Sequence, residues 1–387
     1  MVKGYFPIDK FNEIKTPFYY YNIELLRQTL SLLTKEANKY GYHIYYAIKA
    51  NANPKILSLI NSYGLGVDCV SGGEIKASLN AGFDSNKIVY AGVGKSDWEI
   101  ELGLDSNVFC FNVESEAELE VINEIALKRN KIANIALRIN PEVNANTHHY
   151  ITTGLAENKF GISISTLYQI IDNIDNYKNI KLIGLHFHIG SQIMDMLVFK
   201  SLCVRVNEIQ EKIREKRINI KHINLGGGLG IDYHHPNHIN IPNFKEYFSI
   251  FKQHLRLYSE QEVHFELGRS IIGQCGTLVS RVLYVKQGTN KKFAIVDAGF
   301  TELVRPALYQ AYHRIENISS DEKIEEYDVV GPICESSDVF GKNIELNTIK
   351  RGDFIVFRSA GAYGEVMASH YNCRELPKSY FSSEIDF

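Results

Sequence analysis

The sequence predicts an α/β protein, a (β/α)8 TIM-like barrel followed by a mainly β C-terminal domain. Three observations carry that prediction. Between residues 43 and 267, short runs rich in β-branched and aromatic residues alternate with segments of helical periodicity. After Gly268, strand-like runs continue with few convincing helices between them. The 387 residues are too many for one ordinary domain, yet they suit a barrel of roughly 250 residues with a smaller partner.

The barrel runs are His43–Ile48, Gly66–Val70, Ile88–Gly92, Val108–Asn112, Ile135–Ile139, Ile183–His188, His222–Leu225 and Val263–Leu267. Between the first of them, Asn53 followed by Pro54 reads as a helix N-cap with proline in the first turn, and Ser71 to Glu74 has capping-box spacing. Glu114 to Asn130 has apolar residues at helical intervals, with acidic residues in the first turns where the helix dipole favours them. Strands alternating with helices in this way are the pattern of a closed barrel rather than an open sheet. Beyond it, Leu278–Val285, Phe293–Asp297, Tyr327–Gly331 and Phe354–Phe357 are the strand-like runs, and Pro17–Tyr21 is expected to add a strand to them. The expected organisation is an N-terminal segment 1–35 joining the β domain, a barrel over 36–266, and the β domain over 267–387.

Composition excludes several function classes. A formal net charge of −3 and the lack of a long Lys/Arg run offer no field for a phosphate backbone, so nucleic acid is not an expected partner. No segment approaches the run of about 20 apolar residues that spans a bilayer, and Met1–Lys10 has no apolar signal core, so a cytoplasmic location off the membrane is expected. The six cysteines lack CxxC spacing, which argues for reduced thiols rather than a disulfide framework or a zinc knuckle.

Barrels of this kind work at the C-terminal ends of their strands. Here the first strand ends at Lys49, the second carries Asp68, the fifth Arg138 and the sixth His188; the seventh runs into Gly226, Gly227 and Gly228, and the eighth ends near Glu266 and Arg269. Lys49 alone reads as a snorkelling surface lysine. On a crowded rim its neutral amine could instead form a Schiff base with an aldehyde. Glycines after the seventh strand occupy the usual barrel phosphate position, and the absence of a GK[ST] ending suits one phosphate better than a nucleotide. His186 and His188 share a strand face, which would serve either a metal or a stacked cofactor ring; strand eight offers Glu266 beside Arg269 rather than further ligands, so no metal set is assigned. The pairs His148-His149 and His234-His235 read as solvated loop residues.

Ten ordered blocks then resemble diaminopimelate decarboxylases, a family of pyridoxal-phosphate enzymes with the alanine-racemase-like fold. They are YAIKAN (46–51), DCVSGGE (68–74), NPEVNANTHHYITTG (140–154), NKFGI (158–162), HFHIGSQI (186–193), GGGLGI (226–231), ELGRSI (266–271), ELVRPALYQAYH (302–313), CESSDVFGK (334–342) and GAYGEVM (361–367). The resemblance implies pyridoxal 5'-phosphate as cofactor, held covalently by Lys49. Asp68 and Arg138 would lie beside it and His188 would stack on its ring. Ser191, Gly226, Gly227, Gly228 and Tyr363 would line its phosphate site, Gly268 and Arg269 would also be cofactor-binding, and Glu266 would face the pyridine nitrogen. Cys334 would return a proton to the α-carbon, since a thiol is largely protonated at neutral pH yet gives up its proton readily. Without that context Cys334 reads as an ordinary apolar cysteine.

The implied reaction is decarboxylation of meso-2,6-diaminopimelate to L-lysine and CO2, the last step of lysine biosynthesis. Arg269 and Arg305 would clamp the distal carboxylate, with Tyr309 and Tyr363 as hydrogen-bond partners and Glu335 answering the distal ammonium. Decarboxylases of ornithine, arginine and carboxynorspermidine share the scaffold and are the alternative. The resemblance also implies a head-to-tail homodimer whose Cys334 loop completes the partner's site. Leu267 stands where many relatives have proline, which leaves Glu266 and Arg269 in register.

Overall fold

The computed structural model describes residues 6–143 and 159–385; His148, His149 and most of the block at 140–154 lie outside the described residues. Contacts divide the chain into a unit of Leu30–Gly230 with Asn243–Gly268, and a unit of Met1–Thr29, Ile231–Pro242 and Arg269–Phe387. The first strand in the chain, β1 (Phe18–Tyr21), belongs to the latter.

The former unit is a closed parallel barrel of β2 (His43–Ala47), β3 (Gly66–Cys69), β4 (Ile88–Tyr90), β5 (Cys110–Val113), β6 (Ala133–Ile139), β7 (Ile180–Phe187), β8 (His222–Asn224) and β9 (Glu262–Leu267). All eight expected strands form, with ends shifted by up to three residues. The barrel closes where β2 pairs β9, with His43 opposite His264 and Tyr45 opposite Glu266. Tyr45, Val89, Cys110 and Ala136 pack as one buried cluster. Above it the inward positions turn polar.

Local chemistry starts the intervening helices where the sequence places them. Asn53 caps the helix Pro54–Ser62 by accepting from the Lys55 N–H, and Ser115 caps Glu116–Lys128 by accepting from the Glu118 N–H. Such a cap contributes about 1 kcal/mol. At Ser71 only half of the expected box forms. Its hydroxyl accepts from the Glu74 N–H, but the Glu74 carboxylate reaches past it to the Val70 N–H at 2.7 Å. The strand-to-helix turn is thereby held at the end of β3.

The other unit is built on one sheet. Its strands are β10 (Gly276–Gln287), β11 (Lys292–Val296), β12 (Ile315–Asn317), β13 (Ile324–Val330), β14 (Val339–Asn347), β15 (Phe354–Phe357) and β16 (Lys378–Phe381), with β1. The order is β12-β15-β10-β11-β13-β14, and β1 lies antiparallel to β10 and parallel to β16. Pro17–Tyr21 thus does add a strand to this sheet. Sequence reading missed β12, β14 and β16. These three end the sheet or its β1 branch, where short or half-polar strands are tolerated and the alternation signal is weak. The anchor is aromatic: Phe6, Phe11, Phe18 and Tyr20 pack with Val279, Ile318, Phe354 and Val356. Phe11 meets Phe18 edge-on at 5.2 Å. Full burial of such a side chain stabilises by about 1.5–3 kcal/mol. Among the described residues no helix is long and apolar enough to cross a membrane.

Candidate active site

The barrel mouth is assembled from strand ends. Lys49 stands on one turn of 3-10 helix, Ile48–Ala50, immediately after β2, and is exposed. Its turn is tied down by the Tyr46 hydroxyl, which donates to the Asn51 carbonyl at 2.9 Å. The Lys49 charge acts on Asp68, Glu74, His188 and Glu266, so the lysine faces the rim as the sequence suggested.

Glu266 near the end of β9 is the best-supported group in the barrel. Its Oε1 accepts from Asn112 Nδ2 at 3.1 Å and from Asn224 Nδ2 at 2.7 Å, while Oε2 lies 2.9 Å from His186 Nε2. Burial pushes this carboxyl up, but the opposing interactions of His186, His188 and Lys49 outweigh it and hold the pKa below the usual range. Three bonds leave carboxylate acceptor capacity to spare, so Glu266 fits a charged N–H donor. Its neighbour Asp68 goes the other way. Burial raises it first and repulsion from Glu266 second, and its Oδ1 is buried with no hydrogen-bond partner among the described residues.

His186 and His188 part company here. His186 serves Glu266, whereas His188 Nδ1 accepts from the Gly227 N–H at 3.3 Å, placing any proton of the neutral ring on Nε2. Desolvation, then the charges of Lys49 and Arg138, hold His188 well below the ordinary histidine pKa, so the ring is neutral. His188, just past the end of β7, is thus an uncharged flat ring at the strand end. Arg138 is held by Glu114 at 2.6 Å, and Glu114 also takes the N–H groups of Gly92 and Gly161. The guanidinium lies 4.8 Å from the Phe160 ring.

The glycine run has a structural duty that the sequence reading did not anticipate. A Cβ on Gly226 would collide with the Phe187 carbonyl, and one on Gly227 with the Glu266 carbonyl. The Gly226 N–H donates to Asn224 Oδ1 at 2.9 Å and that of Gly227 to His188. The Gly228 N–H makes no internal bond among the described residues. Gly228 is also where the run meets the Ser191 loop, since the Ile193 N–H donates to the Gly228 carbonyl at 2.9 Å. Gly268 forms the bend after β9, and Arg269 then opens the short helix Arg269–Ile272 instead of ending a strand.

The sheet unit gathers the remaining residues into two groups. In the first, Arg269 Nη1 donates to the Tyr233 hydroxyl at 2.6 Å and its guanidinium lies 4.9 Å from the Tyr363 ring. Arg305 lies 5.7 Å from the same ring and 5.8 Å from that of Tyr309. Arg305 is 7% exposed, and its nearest polar partner is His313 Nε2, 3.4 Å from its Nε. No carboxylate pairs with it among the described residues. Burial, and next among the lowering causes the Arg269 charge, hold Arg305 below the usual arginine range, with Tyr233 opposing. His313 stays neutral, its pKa lowered by burial and then by Arg305 to about 3. Tyr363 adopts φ +57, a left-handed conformation that a bulky residue rarely takes and that clusters at functional sites. Tyr233 and His313 were missed as site residues, although both lie in or beside blocks singled out in the sequence.

The second group is the turn carrying Cys334 and Glu335. Both are exposed, the Cys334 N–H donates to Asn372 Oδ1, and the Tyr371 hydroxyl donates to Glu335 at 2.6 Å. Buried Asp338 staples the turn, accepting from the N–H groups of Ile333 and Phe300 at 2.7 Å each. Elsewhere in this unit, His234 is exposed but stacks on Tyr312 at 4.2 Å, and His235 bonds Asp232.

Comparison with known proteins adds an independent line. The family description "Pyridoxal-dependent decarboxylase, pyridoxal binding domain" matches residues 25–273. The chain is 64% identical over 385 residues to a diaminopimelate decarboxylase of Bacteroides thetaiotaomicron, covering 99% of this chain and 100% of that protein. It is 41% identical to that of Haemophilus influenzae over 93% of this chain and 86% of the relative. Among solved structures, a Helicobacter pylori diaminopimelate decarboxylase complexed with L-lysine superposes with a TM-score of 0.90 at 39% identity, covering 96% of this chain and 93% of that one.

Proposed function

This chain belongs to the diaminopimelate decarboxylases, a family of pyridoxal-dependent enzymes, and from that membership we propose that it decarboxylates meso-2,6-diaminopimelate to L-lysine and CO2. The observation that carries the reading is Glu266, a buried carboxylate held in its charged form with acceptor capacity to spare. Pyridoxal 5'-phosphate, when bound, supplies an aldehyde that condenses with amines and a protonated ring that draws off the electron pair left by departing CO2. Glu266 is suited to keep that ring nitrogen protonated, and neutral His188 to stack on the ring face. Lys49 offers the amine. The Gly228 N–H and the neighbouring Ser191 suit the phosphate.

Arg305 supports the choice of substrate. A buried guanidinium with no carboxylate partner among the described residues suits an anionic group, and the distal carboxylate of diaminopimelate is one. Arg269, Tyr309 and Tyr363 share that role, and Glu335 is assigned to the distal ammonium. L-lysine, named with the Helicobacter pylori relative, is the product this reading expects. Cys334 then delivers the α-carbon proton. Its exposure on a stapled turn suits insertion into a second copy, so the active form is inferred to be a homodimer with shared sites.

Borohydride treatment of the purified protein should label Lys49 with a pyridoxyl group by mass spectrometry, and diaminopimelate should turn over faster than ornithine, arginine or carboxynorspermidine. An adduct elsewhere, or none, removes the cofactor assignment; faster ornithine turnover removes the substrate. Mixing inactive Lys49→Ala and Cys334→Ala proteins should restore partial activity, and no recovery after subunit exchange would count against shared sites.

A further inference from the structure

At the other end of the barrel strands from Lys49, the seam between the first and last strands gathers His43, Glu262 and His264. His43 opens β2 opposite His264 in register, and Glu262 and His264 share a face of β9 because they are two residues apart. Glu262 Oε2 lies 3.6 Å from His264 Nε2 and 4.0 Å from His43 Nε2. One donor atom from each of the three lies within 4.8 Å of the others. Two imidazoles and a carboxylate are a zinc-type donor set, and a tetrahedral ion with bonds of about 2.0–2.2 Å keeps its donors roughly 3.3–3.6 Å apart. His43 and Glu262 are exposed, while His264 is 2% exposed. The Glu262 backbone is itself anchored, its N–H donating to the Lys221 carbonyl at 2.8 Å.

A second observation is independent of this spacing. Both ring nitrogens of His264 are buried without a hydrogen-bond partner among the described residues, and so are both of His222, whose ring centroid is 3.9 Å away. A neutral imidazole has one nitrogen that donates and one that accepts. A buried ring with neither role met is an exception that calls for a cause, an unseen ligand among them. The rings of Tyr45 and Phe109, with centroids 5.3 and 5.9 Å from that of His264, wall the site on its inner side.

We propose that His43, Glu262 and His264 bind one divalent transition-metal ion, with zinc the class their donors suit, tying the first barrel strand to the last. The two tied strands also lead to the mouth, since Lys49 follows β2 and Glu266 lies two residues beyond His264 on β9. The ion is therefore a brace for the scaffold of the site and takes no part in its chemistry. This inference does not rest on the proposed substrate.

The test uses the full-length protein with its cofactor, stripped by a chelator and titrated with Zn2+ by calorimetry, with Co2+ absorption as a second readout. One ion per chain should bind with Kd at or below about 1 μM, and Co2+ should give tetrahedral bands without thiolate charge transfer. His43→Ala and Glu262→Gln, both at exposed positions, should each weaken Zn2+ at least about tenfold and abolish the metal-dependent rise in Tm. Equal affinity in wild type and both variants overturns the site, as does absence of binding at 100-fold that concentration. A thiolate band lost in a Cys334→Ser, Cys373→Ser double variant would also overturn it, by moving the ion to the exposed cysteines.

Discussion

The barrel unit and the sheet unit both bury cations, and they treat them differently. In the barrel, Arg138 is matched by Glu114 at 2.6 Å, and Lys95 by Glu118 at 2.6 Å. The sheet unit pairs some of its arginines in the same way, Arg358 with Glu316 and Arg374 with Glu302. Arg305 breaks the pattern, buried against tyrosine rings and a neutral histidine with no carboxylate among the described residues. Taking a charge out of water is repaid only by a partner. A closed pair is therefore complete in itself, whereas Arg305 has no carboxylate to complete it among the described residues. On the proposed function, the difference separates residues that hold the scaffold from a residue assigned to the substrate carboxylate.

The sharpest way to break this contrast is to remove one member of a closed pair. Glu114→Gln leaves Arg138 buried and weakens the acceptor for Gly92 and Gly161, so urea unfolding should show a loss of about 3–5 kcal/mol. A loss near zero would mean that the pair is not closed in solution. Arg305→Met should behave oppositely. Stability should hold or rise, because an uncompensated charge is gone, while KM for diaminopimelate rises roughly 10- to 150-fold, equivalent to about 1.5–3 kcal/mol. A variant that loses stability as Glu114→Gln does, with KM intact, would place Arg305 among the scaffold residues. A third substitution tests the turn beside the cluster. Asp338→Asn removes the charge that two backbone N–H groups share, and a loss of about 1.5 kcal/mol in turn order should appear as a fall in kcat of roughly tenfold with little change in KM. Unchanged kcat would show that the Cys334 turn does not need its staple.

How much of this could be read from the sequence follows from how local each signal is. The barrel strands were legible because β-branched runs, helix caps such as Asn53 and the polar residues at strand ends are all written within a few neighbouring positions. Lys49, Asp68, Arg138, His188 and Glu266 came with them, since a parallel barrel collects its strand ends whatever lies between. The supports of those residues were not legible. Asn112 and Asn224 reach Glu266 across 154 and 42 residues of chain, and nothing in either local sequence marks the meeting. Asp338 could be quoted within a block, but its bond to the Phe300 N–H spans 38 residues. The His43–Glu262–His264 seam was invisible for the same reason: it exists only because the barrel closes there.

The smallest effect tests whether both units hold their buried histidines neutral to the same degree. His222 in the barrel and His313 in the sheet unit are each lowered to about 3, with burial the first cause in both. A histidine whose folded pKa is depressed contributes stability that is complete above the unfolded value near 6.5 and is lost as pH falls from there toward 3, because the unfolded chain takes up the proton first. By pH 6 each ring should therefore have given up about 1 kcal/mol relative to pH 8. Other groups titrate as well, so the quantity to measure is the stability difference between wild type and His222→Leu, and separately His313→Gln, across pH 8 to 5 in the presence of chelator. Both differences should shrink as pH falls. If the His313 difference stays flat while the His222 difference shrinks, the Arg305 cluster admits water around its histidine, and Arg305 is then solvated rather than waiting for an anion.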